Sequence, residues 1–144
     1  MADIRTVTDD FAVAPQIFPA EAAALAERFS LLINNRPDGE APDQPAGAEV
    51  EAAAREAGMA YVHIPIVGPP GVEETAAMRR ATAEAAGPVL AFCRSGTRSI
   101  LAWGLTETGG GRPADEVEAL AARAGYQIGP MLRALLPAAP PAGG

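Results

Sequence analysis

The stretch that decides how this chain folds is "PVLAFCRSGTRS", residues 88–99. Its first half is a short apolar run, as expected of a strand buried on both faces. Its second half is a polar loop in which Gly96 allows a tight turn and Ser99 opens a helix. Cys93, the only cysteine of the chain, stands at the junction. A loop bending into a helix N-terminus aims backbone N–H groups at its own concavity, where the helix dipole adds positive potential. Arg94 and Arg98 add two permanent charges. Each effect favours thiolate over thiol, which makes Cys93 the expected nucleophile. Arg98 can close on an anion with its bidentate fork, and Ser99 can hydrogen-bond the sulfur. Arg94, Ser95, Gly96 and Thr97 then form the anion-binding loop.

The rest of the chain supplies a frame for this loop. Apolar runs at 29–34, 61–67 and 88–92 predict strands, and 10–14 predicts a further strand at a sheet edge. Alanine-rich segments at 19–28, 47–57, 73–86, 99–108, 114–124 and 130–136 predict helices. Gly58, Gly87 and Gly125 follow three of them as expected C-terminal caps. Strand and helix alternate, so the expected fold is α/β, with a central mostly parallel sheet flanked by helices. Loops leaving the strands' C-terminal ends share one edge of such a sheet, where ligands bind. Arg36, Asp38, the Gly68–Gly71 turn and Cys93 are expected to converge there.

Composition narrows the function. The 144 residues suit one domain, assigned to 1–137, with a Pro/Ala/Gly tail at 138–144 expected to be flexible. The net charge of −7 argues against a nucleic-acid or anionic-membrane surface. All eleven basic residues are arginine, so no lysine Schiff base can form. The N-terminus lacks an apolar leader, and no apolar run reaches the ~20 residues of a membrane span. One cysteine forms no internal disulfide, which suits a cytoplasmic location. With a lone His63 and no cysteine pair, no metal and no cofactor are expected.

"FCRSGTRS" resembles the active-site loop of rhodanese-type sulfurtransferases, although the rest of the chain does not. Pieces at "DDFAVAPQI", "INNRPDGE", "YVHIPIVG", "CRSGTRS" and "AGYQI" resemble, across residues 9–128, a family of bacterial sulfurtransferases with a dual-specificity-phosphatase-like fold. These are also known as the phosphatase-like domain of beta-lactamase hydrolase-like proteins. The resemblance implies a cysteine-phosphatase fold.

Two departures from the phosphatase pattern favour sulfur chemistry. Four residues separate Cys93 from Arg98, one fewer than in cysteine phosphatases, which narrows the cradle. Where the resemblance places a general acid, this chain has "GPPG". Asp38 is the replacement nearest to hand, with Glu73 and Glu74 behind it, although Pro-Asp-Gly is equally a turn sequence. Arg36 is either a second anion contact or a strand-end charge. Asn34 and Asn35 suit loop-fixing hydrogen bonds. His63 and Trp103 suit packing roles.

The expected activity is therefore sulfur transfer through a Cys93 persulfide. The donor would be thiosulfate or a low-molecular-weight persulfide, and the acceptor an external thiol or cyanide. The resemblance also implies a functional link to a persulfide-processing metalloenzyme. The alternatives are a phosphatase working through a Cys93 phosphocysteine, and a non-catalytic anion-binding or redox-sensing module.

Overall fold

The structure is a computed structural model that describes residues 2–136; the tail at 138–144 and residue 137 lie outside the described residues. Five strands form one sheet: β1 (Arg5–Thr8), β2 (Phe11–Ala14), β3 (Leu31–Asn34), β4 (Ala60–His63) and β5 (Val89–Phe92). Their spatial order is β1-β2-β5-β3-β4. β2, β5, β3 and β4 run parallel, and β1 pairs antiparallel with β2. The mostly parallel sheet expected from the strand–helix alternation is present. The strand at 10–14 is not an edge strand, because β1 lies outside it and covers its free side.

The helices are α1 (Ala22–Leu25, entered through a 3-10 turn at Pro19–Glu21), α2 (Gly47–Glu56), α3 (Val72–Glu84), α4 (Thr97–Gly109), α5 (Ala114–Arg123) and α6 (Gly129–Leu135). Gly87 does not cap α3, since the chain leaves that helix in extended conformation at Ala85. Helix α4 begins at Thr97, which puts Ser99 inside its first turn.

Alternate residues of each strand face opposite layers. Phe11, Val13, Leu31, Ile33, Val89 and Ala91 pack with Met78, Ile100, Val117 and Leu132 from α3, α4, α5 and α6. Ala12, Ala14, Leu32, Leu90 and Phe92 pack with Leu25, Val50 and Ala54 from α1 and α2. Burial on both faces is why the inner strands read as unbroken apolar runs. Trp103 belongs to the first of these layers and stacks on Phe11, with ring centroids 5.7 Å apart.

The run at 61–67 is a strand only as far as His63. Beyond it the Ile64 and Ile66 N–H groups bond the carbonyls of Asn34 and Asn35, at 2.9 and 3.0 Å. These bonds carry the chain on alongside the C-terminal end of β3 and bring Ile66, whose carbonyl accepts from Arg98 at 2.9 Å, beside the cysteine loop.

Candidate active site

Five residues, 93–97, lead from the end of β5 at Phe92 to Arg98 in α4. Cys93 follows the innermost strand and is fully buried. The Gly96 N–H donates to its Sγ at 3.1 Å. Gly96 reaches that position with φ +97, and a Cβ there would overlap the Tyr126 hydroxyl and lie 2.9 Å from its ring Cζ. Glycine is thus required twice over, by backbone and by space. Ser95 Oγ accepts from the Thr97 N–H at 3.3 Å and binds Thr97 Oγ1 at 3.0 Å, fixing the start of α4. Arg94 is exposed, and its carbonyl accepts from the Gln16 N–H at 3.3 Å, tying the loop to the end of β2.

Arg98 lies over the loop in a polar clamp. Its NH1 and NH2 donate to the two carboxylate oxygens of Glu40, each at 2.8 Å, and NH1 also donates to the Ile66 carbonyl at 2.9 Å. Arg36, only 4% exposed, donates through Nε to the same carboxylate at 2.9 Å and through NH1 to Gln16 Oε1 at 3.0 Å. The Arg98 hydrogen bonds, followed by those of Arg36, hold the Glu40 carboxyl down at about 2, against the penalty of burial. Glu40 in turn, with a smaller push from Cys93, raises the Arg98 guanidinium above its usual range. Arg98 therefore keeps full charge beside Cys93.

Ser99 is wholly buried, and its Oγ has no hydrogen-bond partner among the described residues. It lies in the first turn of the helix that starts at the cysteine loop. Of the first N–H groups of α4, that of Thr97 bonds Ser95 Oγ and that of Ile100 bonds the Gly96 carbonyl at 2.9 Å, while those of Arg98 and Ser99 have no carbonyl a turn earlier to bond.

Two of the three residues nominated as acids are engaged elsewhere. Asp38 Oδ1 accepts from the Gly47 N–H at 2.7 Å and fixes the start of α2. Glu74 accepts from the Gly71 N–H at 3.2 Å at the start of α3, while Glu73 is exposed. Asn34 bridges the Arg36 N–H and the Tyr61 hydroxyl, and Asn35 donates to the Ile64 carbonyl, so both fix backbone as expected. His63 is exposed rather than packed, with Nε2 2.9 Å from the Arg36 carbonyl.

Glu40, Gln16 and Tyr126 are site residues that the sequence reading passed over. Glu40 stands four residues from Arg36 inside "INNRPDGE", a spacing that could have suggested an ion pair. Beside Arg98 lies an apolar cleft of about 330 Å³ lined by Gly68, Pro69, Thr97, Leu101 and Met131. The "GPPG" turn thus forms a wall of the site rather than bearing an acid. Among the described residues no cluster of His, Cys, Asp and Glu could hold a metal, and no helix is long and apolar enough to cross a membrane.

A mostly parallel sheet, a buried cysteine at the end of its central strand and a glycine-turned loop entering a helix with an arginine in its first turn define a cysteine-phosphatase-like domain. The family profile for the phosphatase-like domain of beta-lactamase hydrolase-like proteins matches residues 3–110, and the chain belongs to that family. The Beta-lactamase hydrolase-like protein of Xylella fastidiosa is 40% identical over 129 residues, which is 88% of this chain and 30% of that protein. Its namesake from Agrobacterium fabrum is 40% identical over 74% of this chain and 25% of that protein. The chain thus spans less than a third of the length of these relatives. A Neisseria meningitidis structure described as a "putative phosphatase" superposes with a TM-score of 0.82 at 30% identity, covering 92% of this chain and 95% of that one. Tk-PTP in its active form shares the fold, with a TM-score of 0.72 at 19% identity over 92% of this chain and 97% of that one.

These similarities overturn the sulfurtransferase expectation. The family profile is phosphatase-like and the structural neighbours carry phosphatase names, in place of the rhodanese that the loop resembled. The loop that prompted the expectation keeps a donor on the sulfur. The left-handed turn at Gly96 lets the shorter loop enter α4 directly while still aiming an N–H at the sulfur.

Proposed function

We propose that this domain is a cysteine-dependent phosphatase acting on phosphate monoesters with good leaving groups, of which aryl phosphates are the type. The observation that carries this reading is the constellation around Cys93: the Gly96 N–H on Sγ, the Arg98 guanidinium beside it and the unpartnered Ser99 hydroxyl. The phosphoryl oxygens are received by the loop N–H groups and by Arg98. The Cys93 thiolate forms an S–P bond as the P–O bond to the aryl group breaks, and the phenolate leaves with the bonding pair. Water then attacks phosphorus, the S–P bond breaks, and phosphate departs while the thiolate is restored. Ser99 Oγ donates to the sulfur as it becomes the leaving group.

The preference for a good leaving group follows from the carboxylates. Asp38 and Glu74 serve helix starts, and Glu40, held at about 2 between two guanidiniums, carries no proton to give near neutrality. The apolar cleft beside Arg98 suits an aromatic leaving group better than a charged one. Hydrolysis of aryl and alkyl phosphates by wild type and Cys93→Ser tests this. Expected is aryl turnover that needs Cys93, is stopped by vanadate and exceeds alkyl turnover by orders of magnitude. Equal turnover by Cys93→Ser would sink the proposal.

A further inference from the structure

Tyr126 comes from the segment between α5 and α6, more than thirty positions along the chain from Cys93, yet it rests on the cysteine loop. Its hydroxyl donates to the Ser95 carbonyl at 2.9 Å, and its ring covers Gly96, where no side chain would fit. Burial, and then the negative charge of Cys93, push the phenol above its ordinary value, so it remains a hydrogen-bond donor.

The Ser95 carbonyl and the Gly96 N–H belong to one peptide unit. That unit is trans, so the two groups point in opposite directions. One end is fixed by Tyr126 and the other meets Cys93 Sγ at 3.1 Å. Rotation of this plane would swing a carbonyl oxygen toward the sulfur and replace a donor with a negative dipole end. Glycine at position 96 tolerates such a rotation more readily than any other residue, so the loop sequence by itself does not secure the orientation. Ser95 cannot secure it with its own side chain, which is engaged with Thr97.

We infer that Tyr126 is a positioning residue of the anion cradle, pinning the Ser95–Gly96 peptide so that its N–H faces the Cys93 sulfur and any bound oxyanion. This deepens the phosphatase reading and rests on the loop being an oxyanion cradle. Tyr126 touches neither the reacting atoms nor the leaving group in this arrangement; it acts through the peptide it holds.

The experiment compares wild type with Tyr126→Phe, which keeps the ring over Gly96 and removes only the hydroxyl. Tungstate affinity is measured by calorimetry, Cys93 alkylation by iodoacetamide is timed at neutral pH, and aryl phosphate kinetics are recorded. The thermal midpoint reports folding. Loss of one such hydrogen bond is expected to weaken tungstate about fivefold. Alkylation should slow by a similar factor, with kcat reduced more than KM and the midpoint little changed. Tyr126→Trp, a bulky ring with a donor differently placed, should not restore tungstate affinity.

If wild type proves inactive on aryl phosphates while Tyr126→Phe still weakens tungstate and slows alkylation, the pin stands and the phosphatase reading falls. Tungstate affinity and alkylation rate equal to wild type in Tyr126→Phe would overturn the pin, whatever the turnover. So would losses in both that merely track a lowered thermal midpoint.

Discussion

Replacing Glu40 with glutamine removes one negative charge from between two guanidiniums and keeps the side chain's shape. In the folded chain this carboxyl is held at about 2 against an ordinary 4.5, chiefly by its Arg98 hydrogen bonds and then by those of Arg36. At about 1.36 kcal/mol per unit that difference amounts to about 3 kcal/mol. The Glu40 side chain is 28% exposed, and solvent screening reduces the figure to about 1–2 kcal/mol. A folded value below the unfolded one means that the stabilisation is fully present above 4.5 and is lost as pH falls toward 2.

Urea unfolding of wild type and Glu40→Gln at about pH 7 and about pH 3 reads this directly. The variant should be less stable by about 1–2 kcal/mol at the higher pH, and the gap should shrink by about half or more at the lower. A gap of the same size at both values, or none near neutrality, would refute the charge argument. The same variant frees Arg98 to wander, so kcat/KM on an aryl phosphate should fall about tenfold.

Three further outcomes follow from the same geometry. Gly96→Ala sets a Cβ against the Tyr126 hydroxyl at a backbone φ of +97; it should cost about 1–3 kcal/mol and abolish measurable tungstate binding, read by unfolding and calorimetry. Asp38→Ala removes the acceptor at the start of α2 and should lower stability by about 1 kcal/mol while leaving kcat on an aryl phosphate unchanged; a large loss of kcat would return Asp38 to the chemistry. Ser99→Ala should slow release of phosphate from the cysteine more than its formation, seen as a larger burst of phenol followed by a slower steady state.

The elements most legible in the sequence were those whose function is burial. β3 and β5 are sealed on both faces and read as apolar runs, and the cysteine loop carries its chemistry within a few residues. β1 was invisible because "RTVT" is short, half-polar and partnered on one side only. The end of β4 was overrun because Ile64 and Ile66 stay buried past its last pair, their N–H groups bonding the Asn34 and Asn35 carbonyls. Glu40 and Tyr126 reach the loop from 58 and 31 positions away through the topology, and nothing local to either residue announces the contact. Residue spacing does not reveal the φ of Gly96, with which the shorter loop still aims an N–H at the sulfur.

The central claim is a phosphoryl group carried on Cys93. Wild type and Cys93→Ser are mixed with an excess of aryl phosphate, quenched in acid within the first turnover and weighed intact. The account predicts one added phosphoryl group on wild type, located on Cys93 and absent from the serine variant. Rapid release of phenol with no phosphoryl adduct on wild type, or turnover that survives in Cys93→Ser, would contradict it.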